Sequence, residues 1–407
     1  MIDLRAARHD PDGYRAALAR KGAAETFDAL LAADARWREL VPHVDDLRSR
    51  QKVQGRPTPE QVEELKQVKE ELRAAAEELA AAEAERDRLL EQVPNPPHPD
   101  PPDGTSEEDA RELRQWGKPP QLEHPRDHLE LARFDMDRAA RISGTRFGYV
   151  VGDAALVELA IFRFALDRLV RRGFTPVRPP VLVREDAMYG TGFFPTEKSN
   201  IYAIESDGLF LTGTSEVALA GLHMGEILDG GQLPFRYAGW STCFRREAGA
   251  HGRDTRGMFR VHQFDKVEMY VFTTPEDSWE EHERLLALEE ELVQALDLPY
   301  RVTDTAAGDL GASAARKYDV EAWFPSQARY REITSCSNTT DFQARRLQIR
   351  YRRNGGSPEV VHTLNGTAAT DRWLLALLEN HQRDDGSVAV PEVLHGFGAP
   401  AEIRTAS

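Results

Sequence analysis

Two heptad seams separated by a short break restrict the fold of this chain more than any other pattern in it. Leu30, Ala33, Trp37, Leu40, Val44 and Leu47 recur at alternating spacings of three and four, and so do Leu65, Val68, Leu72, Ala75, Leu79, Ala82, Leu89 and Val93, with Arg86 at one seam position. Such spacing gathers apolar side chains into one helical stripe, which needs a partner helix to leave water. The break at 54–59, Gln-Gly-Arg-Pro-Thr-Pro, is a turn followed by a helix start, because proline fixes φ and Thr58 can cap. Helices over about 26–52 and 58–93 are therefore expected to form an antiparallel hairpin of order 40 to 50 Å. Pro42 is expected to interrupt the first of them, and the segment before it forms a short helix and turn around Tyr14, Ala17 and Leu18. Periodicity alone favours an oligomerisation or packing element over an RNA reader.

After the seams, Pro94 to Gly104 (PNPPHPDPPDG) cannot continue a helix, and from Glu107 the composition is that of a mixed α/β domain. A length of 407 residues allows two or three domains with a substantial core. The formal net charge of -16 opposes nonspecific attraction to nucleic acid, so no DNA partner is expected and any RNA contact needs local basic patches. Within the hairpin, Glu60 to Glu91 holds eleven acids against five bases, which leaves Arg48, Arg50, Lys52 and Arg56 near the tip as phosphate-contact candidates. A solvated helix face accounts for them equally well. No stretch approaches the ~20 apolar residues of a membrane span, and the start MIDLRAARHD lacks a signal peptide's apolar core, so a cytoplasmic, membrane-free protein is expected. Cys243 and Cys336 have no second thiol at metal-ligand spacing and are expected as thiols inside strands.

The chemistry concentrates between Phe244 and Glu268, FRREAGAHGRDTRGMFRVHQFDKVE, which has the pattern of a strand, a Gly-rich polar loop and an antiparallel return strand. Alternation places Ser241, Cys243, Arg245 and Glu247 on one face of the first strand and Arg260, His262, Phe264 and Glu268 on one face of the second. Two arginines, two carboxylates and a ring on one sheet face suit a nucleoside polyphosphate beside an ammonium group. A solvated ion-pair lattice is the plainer alternative for any such hairpin.

The run GRDTRGMFRVHQFDKVE resembles motif 2 of class II aminoacyl-tRNA synthetases in its seryl-tRNA synthetase form. That resemblance implies that Arg245, Arg246 and Glu247 bind ATP, that Arg260 and Val261 lie along its phosphates, that Phe264 stacks on adenine and that Glu268 holds the serine ammonium. It also implies that the loop Ala248 to Gly257 meets the tRNA acceptor end. Gly173, Phe174, Val177 and Pro180 resemble motif 1, which implies a homodimer, and MYGTGFFP at Met188 to Pro195 is expected as a Gly-rich loop. In LFLTGTSEVALAGL, Thr214 and Glu216 lie on one face of a strand end, or else form a helix cap followed by an acid. The resemblance assigns Thr214, Ser215 and Glu216 to serine binding. Glu332, Ile333, Thr334 and Ser335 resemble the segment that holds ATP and, through Glu332 and Ser335, Mg²⁺. HTLNGTAATDRWLLALLENHQ resembles motif 3, with Arg372 on the ATP γ-phosphate, Thr367 on the serine hydroxyl, and Leu374, Leu375, Leu377 and Leu378 buried. Asp371 stands where the family has glycine, either to weaken phosphate binding or to point away.

The resemblance implies an α+β architecture: an antiparallel sheet flanked by helices, plus the N-terminal coiled-coil arm that the hairpin resembles. It implies a tRNA-binding domain at 1–104 and a catalytic domain at 105–395 with motifs at about 173–182, 240–268 and 364–380, followed by a tail at 396–407 expected to be disordered. The resemblance implies an enzyme with Arg245, Arg372 and Glu332 as catalytic groups. It would activate L-serine with ATP and Mg²⁺ and charge tRNA-Ser, with tRNA-Sec as a second acceptor. Two alternatives stay open: a paralogue supplying seryl-tRNA or seryl-adenylate to a secondary pathway or carrier protein, and a noncatalytic tRNA-binding regulator.

Overall fold

The computed structural model describes residues 1–52, 58–248, 257–353 and 355–404, which divide into two compact units, Met1–Pro96 and Pro97–Ser407. The smaller unit is built on helix α1 (Ala24–Arg50) and helix α2 (Pro59–Gln92). The start of α2 has the chemistry its sequence promises: Gln61 N–H donates to Thr58 Oγ1 at 3.3 Å, and Gln61 Oε1 accepts from Thr58 N at 2.9 Å. Leu30, Val44 and Leu47 of α1 are buried, as are Val68, Ala75, Ala82 and Leu89 of α2. Arg86, the exception in the seam, lays its guanidinium 4.1 Å from the Trp37 ring centroid, so the position is filled by a cation–π contact rather than an aliphatic one. Pro42 does not interrupt α1, contrary to expectation. The helix runs through it, because one missing hydrogen bond is a small loss in a helix held by a continuous seam. Ahead of α1, two short helices, Leu4–His9 and Pro11–Ala19, bury Leu18 and stack Tyr14 on Phe27 at 6.1 Å.

The larger unit is organised on an eight-stranded sheet. In chain order its strands are β1 (Arg111–Trp116), β2 (Thr175–Val177), β3 (Phe235–Phe244), β4 (Gln263–Thr273), β5 (Tyr300–Asp304), β6 (Arg316–Phe324), β7 (Arg329–Thr340) and β8 (His362–Thr370). In space they run β1-β5-β6-β7-β8-β4-β3-β2, antiparallel throughout except where β2 joins β3 in parallel at the edge. Alternation along β4 divides the two faces. Val267, Met269 and Val271 enter the main core with Val320, Ala322 and Phe324 of β6, whereas Tyr270 and Phe272 enter a second cluster with Leu219 and Leu347. The main core also takes residues from helices α4 (Asp153–Arg171), α6 (Ser278–Ala295) and α7 (Asp371–Asn380), including Leu374, Leu375, Leu377 and Leu378 of α7. Helix α3 (His128–Leu131) and helix α5 (Glu216–Ala220) are single turns that return below.

Cys243 and Cys336 are free, buried thiols inside β3 and β7. Two local expectations change. Met188 to Thr191 complete the helix Glu185–Thr191, which Gly192 ends in the left-handed region at φ 94°, so only the rest of the glycine-rich stretch is loop. The tail is ordered at least to residue 404: Glu402–Ile403 pairs with Val388–Ala389 and Ile403 is buried, because burial of one apolar side chain on a short ladder outweighs the polar flanks. Among the described residues no helix is long and apolar enough to cross a membrane.

Candidate active site

The antiparallel register pairs Cys243 with Phe264, Ser241 with Lys266 and Gly239 with Glu268, so Phe264, Lys266 and Glu268 share a face of β4. The strand pattern stops sooner than sequence alternation implies. β3 ends at Phe244 and β4 begins at Gln263, so Arg245, Glu247, Arg260 and His262 lie beyond the ladder and strand parity does not orient them. Glu247 takes φ 51°, the left-handed region, which turns its side chain to meet Arg260, and the two pair at 2.5 Å. His262 closes the end of the hairpin in place of ladder bonds: Arg245 N–H donates to His262 O and His262 Nδ1–H to Arg245 O, both at 2.9 Å. Arg245 Nε donates to Gly213 O at 3.2 Å, and its guanidinium lies 5.2 Å from the Phe264 centroid.

A cleft opens over this surface. Arg245, Glu247, Arg260, Val261 and Phe264 line it together with Glu332, Ile333, Thr334, Ser335, Thr367, Asp371 and Arg372. β7 contributes four consecutive residues because its register against β6 shifts: Glu321 faces Glu332 while Val320 faces Thr334, leaving Ile333 as the extra residue. The bulge breaks strict alternation, and Glu332, Ile333, Thr334 and Ser335 all line the cleft. Arg372, in the first turn of α7, donates to Glu332 O at 2.9 Å and stands 3.8 Å from Glu332 Oε2. Burial pushes the Glu332 carboxyl up, but Lys317, Arg372, Arg245 and the Ser335 hydroxyl outweigh it and hold the group at about 2. An ionised carboxylate with a hydroxyl beside it suits a hard cation. Among the described residues no group of three or more His, Cys, Asp or Glu forms a metal cage, so such a cation would complete its shell from phosphate oxygens and water.

Behind the lining residue Lys266 lies a buried polar cluster. Glu268 pairs with Lys266, whose Nζ also donates to Thr214 Oγ1 at 3.1 Å, and Thr214 Oγ1 donates to Glu268 Oε2 at 3.3 Å. Thr367 faces Glu268 directly across the β4–β8 ladder. Burial raises the Glu268 carboxyl, and Lys266 opposes that rise. Lys266 was absent from the candidates that the sequence suggested, although the signal was present: it lies between Phe264 and Glu268 in the same parity.

Thr214 and Glu216 do not form a strand end: Ser215 is the N-cap of α5, Glu216 opens the helix, and Thr214 just ahead of the cap accepts from Glu216 N–H at 3.2 Å. Ser215 is buried against Ser241, with hydroxyl oxygens 2.7 Å apart. Glu216 turns away from the cleft to accept from Gln343 Nε2 at 2.7 Å and Asn365 Nδ2 at 3.0 Å, and burial with Glu268 nearby raises it to about 7. Arg246 is exposed outside the cleft lining. Asp371 accepts from Asp265 N at 2.9 Å, and burial, Glu158 and Asp265 push its carboxyl well above the usual range. At the arm tip, Arg48 pairs with Asp45 at 3.1 Å, Arg50 and Lys52 are exposed, and Arg56 lies outside the described residues, as does most of the loop Ala248 to Gly257.

An antiparallel sheet carrying an arginine-lined cleft of this kind is the catalytic core of a class II aminoacyl-tRNA synthetase, and the tRNA synthetase class II core domain family (G, H, P, S and T) matches residues 201–381. The seryl-tRNA synthetase N-terminal domain family matches residues 1–97. A serine–tRNA ligase of Thermobifida fusca (strain YX) is 50% identical over 411 residues, covering 98% of this chain and 97% of its own. That of Mycobacterium tuberculosis (strain ATCC 25618 / H37Rv) is 49% identical over 410 residues, with 98% of each covered. The crystal structure of seryl-tRNA synthetase from Pyrococcus horikoshii complexed with ATP superposes with a TM-score of 0.94 at 40% identity over 100% of both chains. The chain belongs to the seryl-tRNA synthetase family, and its activity is that of a serine–tRNA ligase.

Proposed function

We propose that the cleft binds ATP and L-serine and forms seryl-adenylate, which then passes serine to the 3′ end of tRNA-Ser and, through the same acceptor geometry, of tRNA-Sec. The observation that carries the assignment is the convergence of Arg245, Arg260, Arg372 and the ionised Glu332 on one cleft, with Glu268 buried against the lining residue Lys266. Phe264 offers its ring to adenine and Arg245 and Glu247 frame the nucleotide, while Arg260 and Arg372 neutralise the β- and γ-phosphates. Glu268 and Thr214 hold the serine ammonium, and Thr367 hydrogen-bonds the hydroxyl. Because those buried groups need polar partners, alanine, which lacks the hydroxyl, is disfavoured.

The serine carboxylate, ionised at neutral pH, attacks the ATP α-phosphorus in line and expels pyrophosphate, so activation needs no general base. A ribose hydroxyl at the tRNA end then attacks the acyl carbon and AMP leaves. Arginines fixed before the reaction stabilise charge on the transferring and leaving phosphates. Glu332 and Ser335 would hold Mg²⁺, which when bound supplies Lewis-acid neutralisation of those oxygens. The unit Met1–Pro96 serves as the tRNA-binding arm, with Arg48, Arg50, Lys52 and Arg56 as phosphate contacts; the core acts as a homodimer in the cytoplasm through the motif 1 segment 173–182. The test is serine attachment by the purified protein to intact tRNA-Ser and to the same tRNA without its variable arm. Charging of the intact tRNA alone supports the whole assignment. Serine-dependent pyrophosphate exchange with no charging of either overturns the acceptor.

A further inference from the structure

His128 lies outside every motif that the sequence singled out, yet it is buried at 5% exposure and touches two of them. Its Nε2 accepts from Met258 N–H at 3.2 Å, and its Nδ1 lies 3.2 Å from Glu379 Oε1 on α7. The other oxygen of Glu379 accepts from Ser326 N at 3.1 Å. This network fixes the tautomer: Nδ1 must carry the proton to donate to Glu379, and Nε2 must be bare to accept from Met258. The approach is close, since a Cβ on Gly257, at φ 81°, would come within 2.5 Å of Nε2.

Met258 opens the three-residue turn that leads into the cleft. Phe259 follows, its ring centroid 3.8 Å from the Arg331 guanidinium and 4.7 Å from that of Arg372, and Arg260 comes next, paired with Glu247. None of Met258, Phe259 and Arg260 belongs to a strand, so no ladder holds them; backbone attachment comes from His128 at one end and the His262 N–H bond to Arg146 O, 3.0 Å, beyond the other. We infer that His128, fixed in one tautomer by Glu379, is a positioning residue that pins the Met258–Arg260 turn and through it sets both cleft arginines, Arg260 directly and Arg372 through the Phe259 ring. The inference rests on the proposal that Arg260 and Arg372 bind ATP phosphates.

Two substitutions separate the halves of the imidazole. In His128→Gln the amide oxygen can reach the place of Nε2 and still accept from Met258. In His128→Asn the shorter amide can donate to Glu379 but leaves the Met258 N–H unpaired. Glu379→Gln leaves His128 in place but offers one donor where two acceptors are needed, so either Ser326 or the imidazole loses its partner. The measurement is serine-dependent pyrophosphate exchange by the full chain, titrated separately with ATP and with serine, alongside thermal unfolding. The expected result is an ATP KM raised on the order of tenfold in His128→Asn, with the serine KM changed less than about twofold and His128→Gln close to wild type. Glu379→Gln should raise the ATP KM in the parent protein but add little to His128→Gln, which has no tautomer to lose. Equal ATP KM values in His128→Asn and His128→Gln, or losses confined to thermal stability, overturn the inference. Arg260→Ala is the separate control: an unchanged ATP KM there overturns the reading of Arg260 itself.

Discussion

The arm and the cleft are both rich in charge but place it oppositely. In the arm, Arg73 pairs with Glu77 and Lys66 with Glu63 one turn apart, with every one of these side chains more than 60% exposed. In the cleft floor, Lys266 and Glu268 are 11% and 1% exposed. Water and salt screen the first kind of pair, so either partner can be lost without leaving a stranded charge. The second kind has no such refuge, because removing one partner leaves the other buried and unpaired. Charge in these arm pairs is thus a property of the surface, whereas the Lys266–Glu268 charge is a commitment of particular residues to particular partners.

The sharpest way to break this contrast is Glu268→Ala. Serine-dependent pyrophosphate exchange is expected to fall about a thousandfold or more while the protein remains folded, because the ammonium then has no carboxylate. Retained exchange would show that Glu268 matters only as the partner of Lys266. Next in size, Leu377→Ala, in the fully buried face of α7, should destabilise the core by about 3 kcal/mol in urea unfolding.

A comparable effect with a pH signature is expected at Glu216. Its carboxyl rises from the ordinary 4.5 to about 7, which at about 1.4 kcal/mol per pH unit is worth roughly 3 kcal/mol. Since the folded value is the higher one, that stability is fully present below pH 4.5 and is lost as pH rises toward 7. Glu216→Gln keeps the acceptor oxygen for Gln343 and Asn365, so unfolding curves should show it more stable than the parent at pH 8 and no different at pH 4. In the arm the effects shrink. Arg86→Ala removes the cover on Trp37 and should cost about 1 kcal/mol, seen as an earlier loss of arm helicity. Arg73→Ala should change stability immeasurably at physiological salt.

The two regions also differ in how far the sequence discloses them. The arm was legible because its constraint is local: a seam at spacings of three and four, a turn and a cap define both helices within a residue or two, and even Arg86 announced itself as an exception. What spacing did not reveal there is that a guanidinium could fill the seam by lying on Trp37, or that Pro42 could sit inside a supported helix. In the core, the segments that build the cleft were visible as motif resemblances, but their orientation was not. Strand parity fails at Glu247, where φ turns positive, and again at Ile333, where a bulge adds a residue. His128 and Glu379 were invisible for another reason, since 251 positions separate them along the chain and neither carries a local signature.

The sequence by itself determined the two helices of the arm, where the arm ends and which residue types the chemistry requires, because short-range periodicity and side-chain identity suffice for those. Only the tertiary structure decided that the Asp371 carboxyl is pushed up, that Glu332 is held at about 2 and that Lys266 sits between Thr214 and Glu268. Each is a matter of burial and of charges brought near from distant parts of the chain, and neither exists until the sheet has closed around them.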